Sequence, residues 1–135
     1  QVEIECEDCH GTVSQFPWEL PLGYGEEHGM ELTGDARGLS EDTNDESFMF
    51  GTEYEAGDGY LVTARGNPFG NVVRRGDKVI MHSASGLDFE VPVLKQLAID
   101  GTWKSPDAMV AMSQVGAHME SMECYACHAD WAPQC

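Results

Sequence analysis

The chain is short of cations and has no long apolar run. Seven Lys and Arg residues stand against 24 Asp and Glu, a formal charge of −17. Nucleic-acid partners select basic surfaces, so this balance excludes them, and it equally opposes adsorption to anionic lipid. No apolar stretch reaches the roughly 20 residues a helix needs to span a bilayer, so no membrane span is expected. No signal peptide is evident. The phosphate loop, the dinucleotide fingerprint and a Ser-His-Asp arrangement are also missing, which removes the commonest nucleotide and hydrolase chemistries. At 135 residues the chain amounts to one domain or slightly less, able to bury a moderate core.

Cysteine is scarce, but its placement is informative. Four of the five cysteines fall in two copies of one motif, Cys6-Glu7-Asp8-Cys9-His10 and Cys124-Tyr125-Ala126-Cys127-His128. Cys-x-x-Cys-His is the attachment signature of a c-type haem. Each thiol adds across one haem vinyl group, and two intervening residues set the thiols at the right separation. The adjoining histidine then lies under the iron as proximal ligand. A zinc ribbon has no need of a histidine after each cysteine pair. A redox dithiol needs one such pair beside a βαβ pattern, which is not evident. Cys6, Cys9, Cys124 and Cys127 are therefore expected to anchor two haems covalently, with His10 and His128 on the irons. Two large flat apolar groups would then couple cofactor binding to folding.

Cys135 is the odd cysteine, following Trp131-Ala132-Pro133-Gln134. A free thiol or an intermolecular disulfide is one reading. The favoured one is that it opens a third Cys-x-x-Cys-His, so that a third haem is shared and the chain is a fragment of a larger one. The N-terminal run Val2-Glu3-Ile4-Glu5 agrees, leading into the first motif as if already mid-domain. Covalent haem attachment to such motifs takes place outside the cytoplasm, so a periplasmic or extracellular location is expected. The acidic charge gives solubility, and it also makes a field able to steer basic redox partners.

The pattern implies a mixed α+β fold with much irregular structure. A small central antiparallel β unit, a meander or barrel-like, is flanked by two haem-binding segments, with one C-terminal helix. Residues 1–47 form the N-terminal haem-binding segment and a Gly- and Pro-rich loop, 48–103 the β-rich segment, and 104–135 the helix with the second attachment site. Tyr60–Thr63, Asn71–Arg74, Lys78–His82 and Phe89–Val91 read as strands. Gly76-Asp77 suggests a tight hairpin, which also explains the Arg75-Gly76-Asp77 tripeptide better than adhesion does. Leu94–Ile99 is expected to make a helical turn. Ser105 as N-cap and Pro106 in the first turn start a helix running over Ala108–Glu123. Met109, Met112, Gly116 and Met119 fall along one stripe of it, as core or haem contact.

A low-spin iron needs a sixth ligand, and His118, His28 and His82 are the candidate distal ligands. His118 lies on the helix entering the second motif, where a rigid element can aim an imidazole at the first haem or at one outside the chain. His28 lies in a Gly-rich loop that permits close approach. His82 ends a strand, where it either points to a haem or faces water. Methionine also ligates haem iron, but the seven methionines read mostly as packing. Glu41–Glu46 gathers carboxylates of the type calcium takes, yet the EF-hand pattern fails and a solvated loop explains it. Arg65, Arg74 and Arg75 are candidates for pairing with haem propionates. Trp18, Trp103 and Trp131 are explained by packing.

These residues resemble exported multihaem c-type cytochromes of bacteria and archaea. The likeness is complete at Cys6–His10 and Cys124–His128. The run from Glu123 to Cys135 is also similar to stretches of large bacterial members in which another Cys-x-x-Cys-His follows directly. The resemblance implies electron transfer through closely stacked bis-histidine haems, with other redox proteins or further haem domains as partners. It also implies a possible homo-oligomer or filament. The central β segment departs from the nearly strandless small domains of that family. One alternative is an oxidoreductase with an open-site haem acting on a small nitrogen or oxygen substrate. Another is an assembly or docking module.

Overall fold

The structure is a computed structural model and describes residues 4–23, 34–41 and 57–128. His28, Cys135, Trp131 and all of the acidic loop except Glu41 lie outside the described residues. The backbone divides into two compact units, Gln1–Gln96 and Leu97–Cys135. The fold is the expected small α+β type, and among the alternatives for the sheet it is the meander. No helix among the described residues is long and apolar enough to cross a membrane.

In the first unit, α1 (Cys6–His10) and a 3-10 turn (Pro17–Glu19) precede four strands. These are β1 (Gly59–Val62), β2 (Pro68–Arg75), β3 (Lys78–His82) and β4 (Asp88–Val91), antiparallel in the order β1-β2-β3-β4. The β2–β3 hairpin closes as the Gly-Asp pair suggests, with Arg75 opposite Lys78. Gly76 has φ +65°, a conformation that costs glycine little. Its N–H donates to Asp58 Oδ2 at 2.6 Å, which ties the turn to the start of β1.

The cross-strand register assigns two faces. Val72 lies opposite Met81, and Val79 opposite both Arg74 and Val91, so these side chains share one face. Leu61, Phe69, Val72, Val79, Val91 and Val93 form the core there together with Cys9, and Phe16, Trp18, Leu39 and Met81 pack against it. Burying a side chain of this size stabilises the fold by about 1.5–3 kcal/mol. The 3-10 turn is fastened over this layer by aromatics and cations. Phe16 and Trp18 stack at 4.8 Å with planes 6° apart. The Arg74 guanidinium lies 4.1 Å from the Trp18 ring, and Lys95 Nζ 4.7 Å from the Phe16 ring. Lys95 also bonds Glu19 at 2.6 Å and holds that carboxyl below its ordinary pKa.

The opposite face carries Val73, Ile80 and Glu90 in one row, and His82 opposite Asp88 in the next. α2 (Leu94–Asp100) follows β4 where the helical turn is expected, and it contains the boundary between the units.

The second unit differs from expectation in its helix. Ser105 does cap it, accepting from Ala108 N–H at 3.1 Å, with Pro106 in the first turn. The helix then stops, so that α3 (Pro106–Ser113) and α4 (Gly116–Ser121) replace one run to Glu123. Three local features account for the break. Ser113 Oγ bonds the Met109 carbonyl from within the last turn. Val115 takes an extended conformation at φ −103°, ψ 92°. Gly116 follows, a poor helix former. The methionine stripe is split by this break, with Met109 and Met112 half-buried on α3. From Leu97 to His128 no residue whose burial is described is buried, while Ile99, Val110 and Met122 are exposed.

Candidate functional site

The first motif is a single helical turn, which brings Cys6 and Cys9, three residues apart, to the same side. Two features stop the turn from unwinding. Asp8 Oδ2 accepts from Glu5 N–H at 2.9 Å at its start. At its end Gly11 N–H donates to the Glu7 carbonyl at 2.8 Å. Gly11 has φ +65°, and a Cβ there would lie 2.5 Å from the Gln15 carbonyl oxygen, so only glycine fits directly after His10.

His10 is half-buried, and its Nδ1 is 2.7 Å from the carbonyl oxygen of Pro92, just past β4. A carbonyl only accepts, so Nδ1 carries a proton, and in the neutral ring Nε2 is the nitrogen with the lone pair. An imidazole whose Nδ1–H is held by a backbone carbonyl is the form in which histidine meets a metal. The end of the sheet therefore sets both the tautomer and the orientation of the motif's histidine.

Cys6 is half-buried and Cys9 is buried in the core. Burial pushes the Cys9 thiol up to about 12, with the charges of Asp8 and Cys6 adding to the shift. Without a bound ligand this environment favours the neutral thiol. A thioether is uncharged and suits it. Among the described residues no three His, Cys, Asp or Glu side chains converge as a metal-binding group. In haem-free chain at pH 8, iodoacetamide should label exposed Cys127 well before Cys9. The thiolate fraction of a thiol with pKa near 12 is on the order of a thousandfold below the ordinary one. The rate at Cys9 should climb with pH toward that value, and denaturant should abolish the contrast. Equal labelling of the two in the folded chain would contradict the placement of Cys9.

The second motif is a 3-10 turn over Cys124–Ala126, continued by a bond from His128 N–H to the Cys124 carbonyl at 3.1 Å. Cys124 is half-buried, and Cys127 and His128 are exposed. Both motifs are thus compact turns with their cysteines three apart, although the first is anchored in a core and the second is not.

His118 lies on α4, half-buried, with Nδ1 3.1 Å from the Ala111 carbonyl of α3. The reasoning used for His10 puts the proton on Nδ1 here also. The helix break makes this bond possible, because α4 can turn its histidine back against α3. His82 is buried, with Nδ1 2.6 Å from Asp88 Oδ1. It lies on the face of the sheet opposite Val79 and Met81, and so opposite the layer that contains Cys9. The structure does not bring His82 together with the first motif. His28 and Cys135 are outside the described residues.

Arg74 is engaged with Trp18 and with the Gly76 carbonyl at 2.7 Å, while Arg65 and Arg75 are exposed. Two site features escaped the sequence reading, the Pro92 carbonyl and an ion pair between Asp8 and Arg37. Both partners are remote in the chain, and no periodicity marks them. The chain matches no protein-family model, no curated protein and no solved structure.

Proposed function

We propose that this chain is an electron-transfer module carrying haem c at Cys6–His10 and Cys124–His128, exported to the periplasm or beyond. The observation that carries the proposal is the His10 imidazole, immediately after two cysteines on one side of a helical turn, with Nδ1–H bonded to Pro92. Haem bound there supplies a one-electron ferric–ferrous couple. The chain's own residues do the rest. The cysteines tether, and His10 and His128 offer Nε2 as the proximal ligand. The valine-rich layer around Cys9 keeps water from that anchor. His118 has the same backbone-tethered form as His10 and is the best-supported distal ligand, for a haem whose identity the test must assign.

The second unit adds support of another kind. None of its residues of described burial is fully buried, and its exposed Ile99, Val110 and Met122 are the sort of surface a porphyrin covers. The net charge of −17 favours a redox partner with a basic docking face.

Acid–acetone extraction tests the attachment, since thioether-bound haem stays with the polypeptide. Spectra of the holoprotein then test the function. Low-spin haems that cycle reversibly and do not respond to cyanide or nitrite are expected. A haem that shifts on adding either ligand would favour an open-site oxidoreductase instead.

A further inference from the structure

Asp8 occupies one of the two positions between Cys6 and Cys9, and it is almost wholly buried at 2 % exposure. Its Oδ1 is paired with Nη1 of Arg37, whose side chain is also buried, at 8 % exposure. Arg37 is held independently, since its Nε donates to the Pro21 carbonyl at 3.1 Å and its backbone N–H to the Leu20 carbonyl at 2.8 Å. A carboxylate in the same turn as Cys9 and His10 is thus fixed, shielded from solvent, against a guanidinium held from outside that turn.

Helix capping does not account for the arginine, because the bond from Glu5 N–H needs only the Asp8 carboxylate. Stability does not account for it either. Burying an ion pair is often no better than burying apolar groups of similar size, and this chain has only seven Lys and Arg to place. What a buried pair does supply is a fixed local field, since charges act strongly where water does not screen them.

We propose that Arg37 is a positioning residue for the first haem site, acting through Asp8. It holds the attachment turn in shape, and it neutralises the carboxylate that would otherwise lower the potential of the iron at His10. The proposal rests on the haem reading above.

The test uses the holoprotein. Mass measurement of proteolytic peptides first establishes haem on the wild-type peptide containing Cys6–His10, and its absence there would end the haem reading whatever the pair does. Arg37→Gln, Asp8→Asn and the double variant are then compared by haem occupancy of that peptide and by midpoint potentials at one pH and ionic strength.

Arg37→Gln leaves a lone carboxylate, which favours the ferric state, so one of the midpoints should fall. Asp8→Asn leaves a lone guanidinium, so the same midpoint should rise. The double variant should return close to wild type. A role in packing alone would admit water in both single variants and move both in the same direction. Shifts of the same sign, or no shift in either, overturn the proposal. If one single variant does not accumulate, the other is read against the double variant, and no difference between them overturns it. Loss of haem from both singles with retention in the double supports it, and loss from the double overturns it.

Discussion

A chain carrying Cys6→Ser and Cys9→Ser together should mature with one covalent haem fewer, and its Soret absorbance per mole of chain should fall by about half. The effect is large because a serine hydroxyl does not add to a vinyl group as a thiol does. Removing both thiols leaves His10 as the only tie, and a single coordinate bond does not survive denaturation. The matching pair Cys124→Ser and Cys127→Ser should show the same loss at the other site. The two should add, since each motif closes its own turn through its own backbone bonds. Undiminished absorbance in either pair would remove that motif from the account.

Leu61→Ala should have the largest effect on the fold. Leu61 is 1 % exposed, in the layer that also holds Cys9, Val72 and Val79. Truncating a leucine in such a place costs roughly 2–5 kcal/mol, from lost burial plus the cavity left behind. Leu87→Ala is the internal control, because Leu87 is 60 % exposed in the β3–β4 turn. Its cost should lie within about 0.5 kcal/mol of zero. Chemical unfolding of both variants against wild type reads the difference, and equal midpoints would contradict the assignment of the core. Because Cys9 belongs to the same layer, Leu61→Ala should also lower haem occupancy at the first motif without changing it at the second.

Much of the first unit was legible in the sequence because its signals are local. Gly76-Asp77 between two β-branched runs fixes a hairpin. Ser85-Gly86 marks the turn before β4, and in the second unit Ser105-Pro106 starts a helix. The two Cys-x-x-Cys-His motifs are local as well, so Cys6–His10 and Cys124–His128 are found in the sequence without reference to a fold. The rest depends on contacts distant in the chain. Pro92 reaches His10 across 82 residues, and Arg37 reaches Asp8 across 29. No spacing rule anticipates either. The break between α3 and α4 is local but weakly coded, because it joins the back-bonding of one serine to the poor helix propensities of Val115 and Gly116. The facing of His82 needed the register of the whole sheet. Strand alternation predicts that neighbouring side chains point opposite ways, but only the packing of Val79 and Met81 shows which way is toward Cys9.

The placement of the histidines orders the remaining experiments. His118→Met keeps a ligand of similar reach and should raise one midpoint, because thioether ligation favours ferrous iron. Unchanged midpoints would take His118 off the iron and leave it as a link between α3 and α4.

The most direct measurement is the intact mass of the native chain under denaturing conditions. Covalent attachment at both motifs predicts the mass of the polypeptide plus two haem groups, since addition of a thiol to a vinyl group loses no atoms. A mass equal to the bare polypeptide would contradict the account at its root.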